Sequence, residues 1–541
     1  MIDFRKDIFS DERDDNLNEI GKPTQRQDML GHVTGRTKYF DDHLVANPLH
    51  LKAVRSPHHH ARIRSIDTSA AERLPGVRCI LRGGDVPVNI NTLLSLLQFG
   101  IDDEPSLAVD KVRYVGEPVA AIIAESEPEA LAAVSRVRVE YEPLPAVFDV
   151  EEALGSGAPE VNPAYPGNAF IYHEKYNHQR LRFGDVAQGF SIADHVLEER
   201  YQMSPIEHAP TETNGCVAAP ENDGRYICYT CTQALFFSLD TAAKILDVPS
   251  NKLHFVGGTV GGGFGGKVDT LTEPLAVLGA MKTGRAVRYV FNRQEEMQVG
   301  SPRGAERIYI KDGVMNDGRI VARQMRVYID AGAYTRLSSY AGHKCTAHLP
   351  GPYTIPHVHT DVYCVYTNRT PSTAMRGFGV TGVDFALEVQ MDKLARLLGM
   401  DPIEFRLLNA YRDGDMKAHR REAKNCALIE CCQVAAEKTN WPIREAFKQM
   451  SSRKSGGAQR VESLANPSSI LSNTPQASQP LAEEKLAMGA APSTTQRAAG
   501  SALHATVVPS PHTETSRANA VTANDGVGSA RFSSIFGKRR R

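Results

Sequence analysis

The chain has 541 residues with a formal net charge of −1 and a pI of about 7.0, which leaves no electrostatic footprint for nucleic acid. No apolar run reaches the roughly 18 residues that a membrane-spanning helix needs, and the start of the chain lacks the apolar core of a secretory signal. Nine cysteines without an iron–sulfur spacing favour free thiols in a reducing compartment, the cytoplasm.

The first predicted domain spans residues 21–154, after a charged segment, 1–20, that we expect to be flexible. Short strands dominate this region, and residues 119–124 have the apolar composition of a buried strand. One clear helix is predicted at 128–137, with Pro128 in its first turn, where the missing N–H costs nothing.

Two groups of potential metal ligands have simpler explanations. His58, His59 and His60 precede a segment that alternates like a strand, which favours an entry loop. Cys228 and Cys231 form one C-x-x-C without a second pair, and two strand cysteines on different faces are favoured over a zinc site.

A linker rich in glycine and proline, 155–167, leads to a second predicted domain at 168–441. Apolar spacing and capping residues predict helices at 239–246, 273–281 and 383–398, and another that begins after Asp401. The mixture of strands and helices predicts the α+β class.

The glycine run at 261–267 places five glycines in seven positions, which suits a loop whose main-chain N–H groups approach an anion. Residues 261–267 fit a nucleotide-binding P-loop, but Val268 stands where Ser or Thr would hold Mg²⁺. A dinucleotide-binding site requires an Asp or Glu at the end of the next strand, where this chain has Asn292. A glycine-rich turn without a ligand stays open from the glycines alone.

The tail at 450–541 is dominated by Ser, Ala, Thr, Pro and Gln, and we expect it to be disordered because it cannot bury enough apolar area. It ends in four basic residues, 538–541, which are weak evidence for a nuclear signal.

Three motifs in a fixed order carry a family resemblance: Gln233 within 230–234, the glycine run at 261–267, and Ala-Met-Arg-Gly-Phe-Gly at 374–379. Together they resemble the molybdenum-binding large subunit of the xanthine dehydrogenase and aldehyde oxidase family. Segments in the first domain resemble the family's small α/β hammerhead domain: 33–39, 55–62 and 112–119. The resemblance implies a hammerhead domain followed by the first half of a molybdopterin-binding α+β domain.

The reaction implied by the resemblance is hydroxylation of an electron-poor carbon with water as the oxygen source. The cofactor would be molybdenum–molybdopterin, in its simple or cytosine dinucleotide form, and it does the redox work. Electrons would leave through the pterin to iron–sulfur and flavin centres. We expect neither centre on this chain, so the resemblance implies a [2Fe–2S] subunit and an FAD subunit in a hetero-oligomer.

The resemblance also assigns residues to the cofactor. Gln233 matches the residue whose amide hydrogen-bonds a molybdenum oxygen, and a polar residue at a strand end is the alternative. Gly263, Phe264 and Gly265 would present main-chain N–H groups. Arg376 would approach the metal's surroundings, where its guanidinium could stabilise negative charge.

Four positions bear on the substrate. Purine hydroxylases of the family commonly carry Glu where this chain has Val268, and Arg where it has Lys344, which disfavours xanthine and favours an aldehyde or another N-heterocycle. Phe378 would stack on an aromatic substrate. Glu212 resembles a family position near the cofactor, and its role, structural or chemical, stays open.

The catalytic base of the resembled family lies in a second half that this sequence lacks, so we assign no catalytic residue. The glutamates of the tail would not be positioned to replace it: Glu462, Glu483, Glu484 and Glu514. We expect the chain alone to be inactive. A truncated or frameshifted gene is the leading explanation, a natural split subunit is the alternative, and a non-catalytic relic or assembly scaffold is a further hypothesis.

Overall fold

The computed structural model of the chain describes residues 23–453, except 44, 92, 98, 99, 101, 173, 174, 177 and 178. The predicted flexible segment 1–20 and residues 454–541 of the predicted tail, with its four glutamates, lie outside the described residues. The first residues of the predicted tail are ordered instead, because Ser452 is buried and its N–H donates to Glu430 at 2.8 Å.

The strands alternate with helices along most of the described chain. They are Leu49–Arg55 (β1), Ala61–Asp67 (β2), Val77–Arg82 (β3), Lys111–Val112 (β4), Pro118–Ala124 (β5), Arg138–Pro143 (β6), Ile171–Tyr172 (β7), Lys175–Tyr176 (β8), Gln179–Phe183 (β9), His195–Met203 (β10), Gly215–Pro220 (β11), Tyr226–Thr230 (β12), Leu253–Gly257 (β13), Val287–Val290 (β14), Glu306–Val314 (β15), Ile320–Gly332 (β16) and His357–Tyr366 (β17).

Most helices are short. They are Met29–Thr34 (α1), Ser69–Glu72 (α2), Leu93–Leu96 (α3), Glu127–Val134 (α4), Val150–Ala153 (α5), Val186–Ile192 (α6), Leu235–Ile245 (α7), Glu273–Thr283 (α8), Arg293–Val299 (α9), Ser338–His348 (α10), Thr381–Leu397 (α11), Pro402–Asn409 (α12), Leu428–Lys438 (α13) and Glu445–Lys448 (α14).

A seven-stranded sheet crosses the predicted boundary between the two domains. Its order is β13-β12-β11-β14-β1-β5-β3, so strands from 21–154 and from 168–441 lie side by side. The junction is the parallel pairing of Leu49 with Val287 and of His50 with Arg288. Leu49 and Leu51 are buried there with Val287 in one continuous core. The two predicted domains therefore share backbone hydrogen bonds, and the division of the sequence at 155–167 stays a prediction.

A second, five-stranded sheet lies wholly within the second predicted domain, in the order β10-β15-β16-β17-β9. Helix α11 covers it because Val383, Leu387 and Leu394 recur at helical spacing and are buried. Asp401 caps α12 through its side chain, as the sequence predicts, and accepts from the N–H groups of Ile403 and Glu404.

Helix α7 differs most from its predicted range, because it begins at Leu235 rather than at 239. Phe236 and Phe237 lie in its first turn and are exposed, so the apolar periodicity that predicts a helix weakens there. This early start matters for the site, because it places the first turn directly after Gln233.

Candidate functional site

The glycine run forms a loop between β13 and α8. Gly262 and Gly265 adopt φ values of 100° and 107°, a region that favours glycine, and Phe264 between them has φ 54°. Phe264 lies between these two glycines and is 46% exposed.

Gln233, just beyond the end of β12, forms hydrogen bonds with the main chain of this loop. Its Oε1 accepts hydrogen bonds from the N–H groups of Gly265 at 2.9 Å and Lys267 at 3.3 Å. Its own N–H donates to the Lys267 carbonyl oxygen at 2.8 Å. A Cβ at Gly263 would come within 2.4 Å of the Gln233 amide, so the close approach requires glycine. The N–H of Gly265, a predicted cofactor donor, is therefore already used.

The second loop, 374–379, docks directly on the first. The N–H of Arg376 donates to the Phe264 carbonyl oxygen at 2.7 Å. A Cβ at Gly265 would lie 2.5 Å from the Ala374 carbonyl oxygen, so only glycine permits this contact. Two loops more than a hundred residues apart in sequence therefore meet as one surface.

Lys267 and Glu212 form a buried ion pair beneath the glycine loop. Lys267 Nζ lies 2.8 Å from Glu212 Oε2, and the lysine side chain is fully buried. The same carboxylate oxygen accepts from the N–H of Gly261 at 2.7 Å. Glu212 thus contacts both ends of the glycine run, while its Oε1 has no hydrogen-bond partner within the described residues.

Two further buried side chains hold the second loop. His208 Nε2 lies 2.9 Å from the Ala374 carbonyl oxygen, and Arg303 Nη2 donates to the Arg376 carbonyl oxygen at 2.6 Å. A Cβ at Gly266 would lie 2.8 Å from His208 Nδ1, so this imidazole touches both loops. We call His208, Glu212, Lys267 and Arg303 the support layer.

The opposite side of the two loops is open. Gln233, Phe264 and Arg376 are all exposed, and we call them the outer face. The structure gives no partner within the described residues for the Gln233 side-chain NH₂ or for the main-chain N–H of Gly263 or Phe264. This face offers hydrogen-bond donors and one guanidinium, which fits an anionic, oxygen-rich group such as a molybdopterin.

An aromatic corner lies beside the second loop. The Phe378 and Tyr340 rings meet edge to face with centroids 5.5 Å apart, and Lys344 Nζ lies 5.3 Å from the centre of the same tyrosine ring. Phe378 and Lys344, both predicted from the substrate positions, are thus joined through Tyr340. Val268 is only half buried and packs against the main core.

Sequence reasoning missed His208, Arg303 and Tyr340. Tyr340 lies one helical turn before Lys344 on α10, a spacing that the sequence does display. His208 and Arg303 carry no comparable signal, because each acts on a main-chain oxygen that is distant in sequence.

Two buried carboxyl groups near the support layer have raised pKa values. Burial raises the pKa of Glu306 to about 7, although the nearby Arg303 opposes the shift. Burial likewise raises the pKa of Asp269, although Arg336 and the hydroxyls of Thr373 and Ser301 oppose the shift. Both groups therefore hold protons more tightly than exposed carboxyls do.

Within the described residues, no three His, Cys, Asp or Glu side chains converge as a metal site. The nine cysteines have free thiols, and Cys228 and Cys231 pack in different cores. In the same part of the chain, every helix is too short or too polar to cross a membrane.

Two family models match the chain. The molybdopterin cofactor-binding domain matches residues 171–410, and the a/b hammerhead domain of aldehyde oxidase and xanthine dehydrogenase matches residues 34–145. Both loops of the site, with Gln233, lie inside the first match.

Among curated proteins, a probable xanthine dehydrogenase subunit of Bacillus subtilis is 37% identical over 400 residues, which cover 73% of this chain and 52% of that protein. The nicotinate dehydrogenase large molybdopterin subunit of Eubacterium barkeri is 34% identical over 422 residues, which cover 77% of this chain and 96% of that subunit. The chain thus spans about half of the first relative and nearly all of the second.

Solved structures give the same picture. Aldehyde oxidoreductase from Desulfovibrio gigas matches with a TM-score of 0.73 and 29% identity, over 79% of this chain and 47% of that one. Quinoline 2-oxidoreductase from Pseudomonas putida 86 matches with a TM-score of 0.71 and 30% identity, over 79% of this chain and 55% of that one. In both, the chain corresponds to about half of the known structure.

Proposed function

Because the chain belongs to the molybdopterin-binding large subunits of the xanthine dehydrogenase and aldehyde oxidase family, we propose that it is the molybdenum-cofactor-binding part of a hydroxylase. The proposed reaction converts an aldehyde or N-heterocycle, R–H, with water to R–OH, two electrons and two protons. The cofactor, when bound, supplies the two-electron redox chemistry.

One observation carries this proposal: the two loops join through the hydrogen bond from the Arg376 N–H to the Phe264 oxygen, and the joined surface is open. The Gln233 amide and the Arg376 guanidinium reach this surface from different elements. Donors fixed in advance around a site of developing negative charge stabilise it without reorganisation. The residues that would hold the cofactor are Gln233, Gly263, Phe264 and Arg376.

The outer face also supports a partner requirement. A cofactor held only by this exposed face would stay open to water, so we propose that further polypeptide covers it. A [2Fe–2S] subunit and an FAD subunit would accept the electrons. The form of the pterin, simple or cytosine dinucleotide, belongs to the same proposal.

Substrate preference is proposed from the aromatic corner. Phe378 and Tyr340 present two rings at an angle, which suits a flat ring held by its face and edge. Val268 offers no carboxylate to pair with a purine. An aromatic aldehyde or an N-heterocycle other than xanthine fits this corner best.

The experiment is purification of the tagged full chain from its own host, with whatever subunits accompany it. Molybdenum, iron, flavin and the fluorescence of the oxidised pterin after denaturation would be measured per chain. Molybdenum and pterin near one per chain, with iron and FAD, are expected. An assembly without pterin would overturn the proposal and favour a non-catalytic scaffold.

The Arg376→Ala variant refines this test. It should lower the pterin content because an exposed guanidinium is lost from the outer face. Arg396→Ala is the matched control, since Arg396 is an exposed arginine on α11 and lies in neither loop. Equal pterin loss in both variants would contradict the assignment of Arg376.

A further inference from the structure

Arg303 is a buried cation that supports the second loop without a matching hydrogen-bonded anion. Only 7% of the residue is exposed. Its Nη2 donates to the Arg376 carbonyl oxygen at 2.6 Å, while its Nε and Nη1 have no hydrogen-bond partner within the described residues. The guanidinium therefore makes one main-chain contact and leaves other donors unused.

The unused donors of Arg303 call for an explanation. Buried polar groups usually have all their hydrogen bonds satisfied, and an exception calls for a reason. Glu306 is a nearby buried carboxyl, but no hydrogen bond joins it to Arg303 within the described residues. The countercharge alone therefore does not explain why the guanidinium donates to the second loop.

The surrounding main chain fixes where this guanidinium lies. Arg303 and Ile206 exchange main-chain hydrogen bonds at 2.8 and 3.2 Å, which anchors the segment before β15. The Pro302 carbonyl oxygen accepts from the N–H of Thr373 at 2.9 Å. The main chain on both sides of the Arg303 Cα is therefore hydrogen-bonded. Its neighbour Pro302 also binds Thr373, the residue directly before the second loop.

The contacted oxygen lies at the turn of the second loop. The Thr381 hydroxyl also donates to the Arg376 carbonyl oxygen, at 3.3 Å, and the Arg376 N–H already donates to Phe264. The peptide units on both sides of the Arg376 Cα are thus held. With these units fixed, the direction in which the Arg376 side chain leaves the backbone is fixed as well.

We propose that Arg303 is a positioning residue that holds the Arg376 carbonyl oxygen and thereby aims the Arg376 guanidinium across the outer face. The inference rests on the proposed function for the role of Arg376. It assigns to Arg303 the task of fixing the loop rather than that of stabilising the fold.

The experiment compares full-chain variants by amide hydrogen exchange with mass spectrometry, without cofactor. Arg303→Met removes the donors and keeps most of the volume, and Arg303→Lys keeps a charge and a donor. Arg369→Met is the control, because Arg369 Nε also donates to a main-chain oxygen, that of Phe148 at 3.0 Å.

In Arg303→Met, exchange across residues 374–380 should accelerate about tenfold, as expected when a hydrogen bond to a charged group is lost. The melting temperature should fall only modestly, because Glu306 loses its nearby cation but can take up a proton. Arg303→Lys should restore part of the protection, and the control should leave 374–380 unchanged. Unaltered exchange at 374–380 in Arg303→Met would overturn the inference, as would acceleration throughout the chain with a lower melting temperature.

If Arg303→Met does not fold, Arg303→Lys provides the test. Faster amide exchange confined to residues 374–380 in Arg303→Lys would support the positioning role, and exchange equal to that of the parent would overturn the inference. The exchange readout needs no cofactor, so its outcome is independent of the proposed function. Pterin-free assemblies with local acceleration would overturn the proposed function alone. Assemblies that contain pterin, together with amide exchange at 374–380 that is unchanged in the Arg303 variants, would overturn this inference alone.

Discussion

The outer face and the support layer lie on two sides of the same loops and differ in their exposure to solvent. Gln233, Phe264 and Arg376 are exposed, and donors among them have no protein partner within the described residues. Lys267 and His208 are buried: Lys267 pairs with Glu212, and His208 Nε2 lies 2.9 Å from the Ala374 carbonyl oxygen. The difference teaches that the loops are held from one side so that the other side can stay open for a ligand.

The largest expected effect comes from breaking the buried ion pair. Glu212→Ala leaves Lys267 buried without its countercharge, which should lower the free energy of unfolding by about 3–5 kcal/mol. Glu212→Gln keeps an acceptor and should cost less. Urea denaturation checks both variants. The control Glu198→Ala removes a mainly exposed pair with Lys311 and should change little. Similar losses in both alanine variants would contradict the distinction.

A second prediction concerns a deep carboxyl that has neutral donors instead of a cation. Asp103 accepts from the Tyr366 hydroxyl at 3.0 Å and the Thr335 hydroxyl at 3.2 Å, and burial raises its pKa to about 7. A raised pKa means that the folded state retains a proton that the unfolded chain loses above its ordinary pKa near 4.

The stability that this proton contributes is therefore complete below pH 4 and lost as the pH rises to about 7, up to about 4 kcal/mol. Asp103→Asn keeps an oxygen acceptor and cannot ionise. Its free energy of unfolding, relative to the parent, should rise between pH 4 and pH 8. A difference that stays constant with pH would show that Asp103 ionises normally.

The third prediction concerns the two reasons why Gly265 must be glycine: its positive φ and its close contact with the second loop. Gly265→Ala combines φ 107° with a clash at the Ala374 oxygen and should cost about 1–3 kcal/mol. Gly157→Ala has φ 84° but open space around its Cβ, so it measures the backbone strain alone. Differential scanning calorimetry compares them. Equal losses would mean that the loops do not need this contact.

The smallest stability effects are expected on the outer face. Arg376→Ala should change the free energy of unfolding by no more than about 0.5 kcal/mol. Turnover of the native assembly, followed by dye reduction with an aromatic aldehyde, should fall about tenfold or more, because a barrier rise near 1.4 kcal/mol suffices. A destabilised chain with normal turnover per cofactor would reverse the assignment.

The test of Gln233 uses a conservative substitution, because its Oε1 accepts hydrogen bonds from two N–H groups of the glycine loop. Gln233→Glu keeps that acceptor and removes the NH₂ donor, so it tests the outward role alone. It should lower turnover with little change in melting temperature, whereas Gln233→Ala should also loosen the loop. Identical behaviour of the two variants would indicate that only the inward role matters.

The sequence by itself determined which parts of the chain matter. Glycines at 261–267, the motif at 374–379 and Gln233 identified the family, and the family models and relatives confirmed it. Helix α12 was predicted with its cap because capping is a local property, read from neighbouring residues. The glycine run was also recognised as a loop, although the sequence did not show which of its glycines the contact with 374–379 requires.

Only the tertiary structure decided how these parts meet. Three features join residues far apart in sequence: the docking of the second loop, 374–379, on the glycine loop, the contacts of His208 and Arg303 with the second loop, and the sheet shared between Leu49–Arg55 and Val287–Val290. Local periodicity reports which face of an element is buried, but not which distant main-chain oxygen a side chain will reach. Such contacts depend on the packing of whole elements, and for that reason the support layer could not be predicted from the sequence.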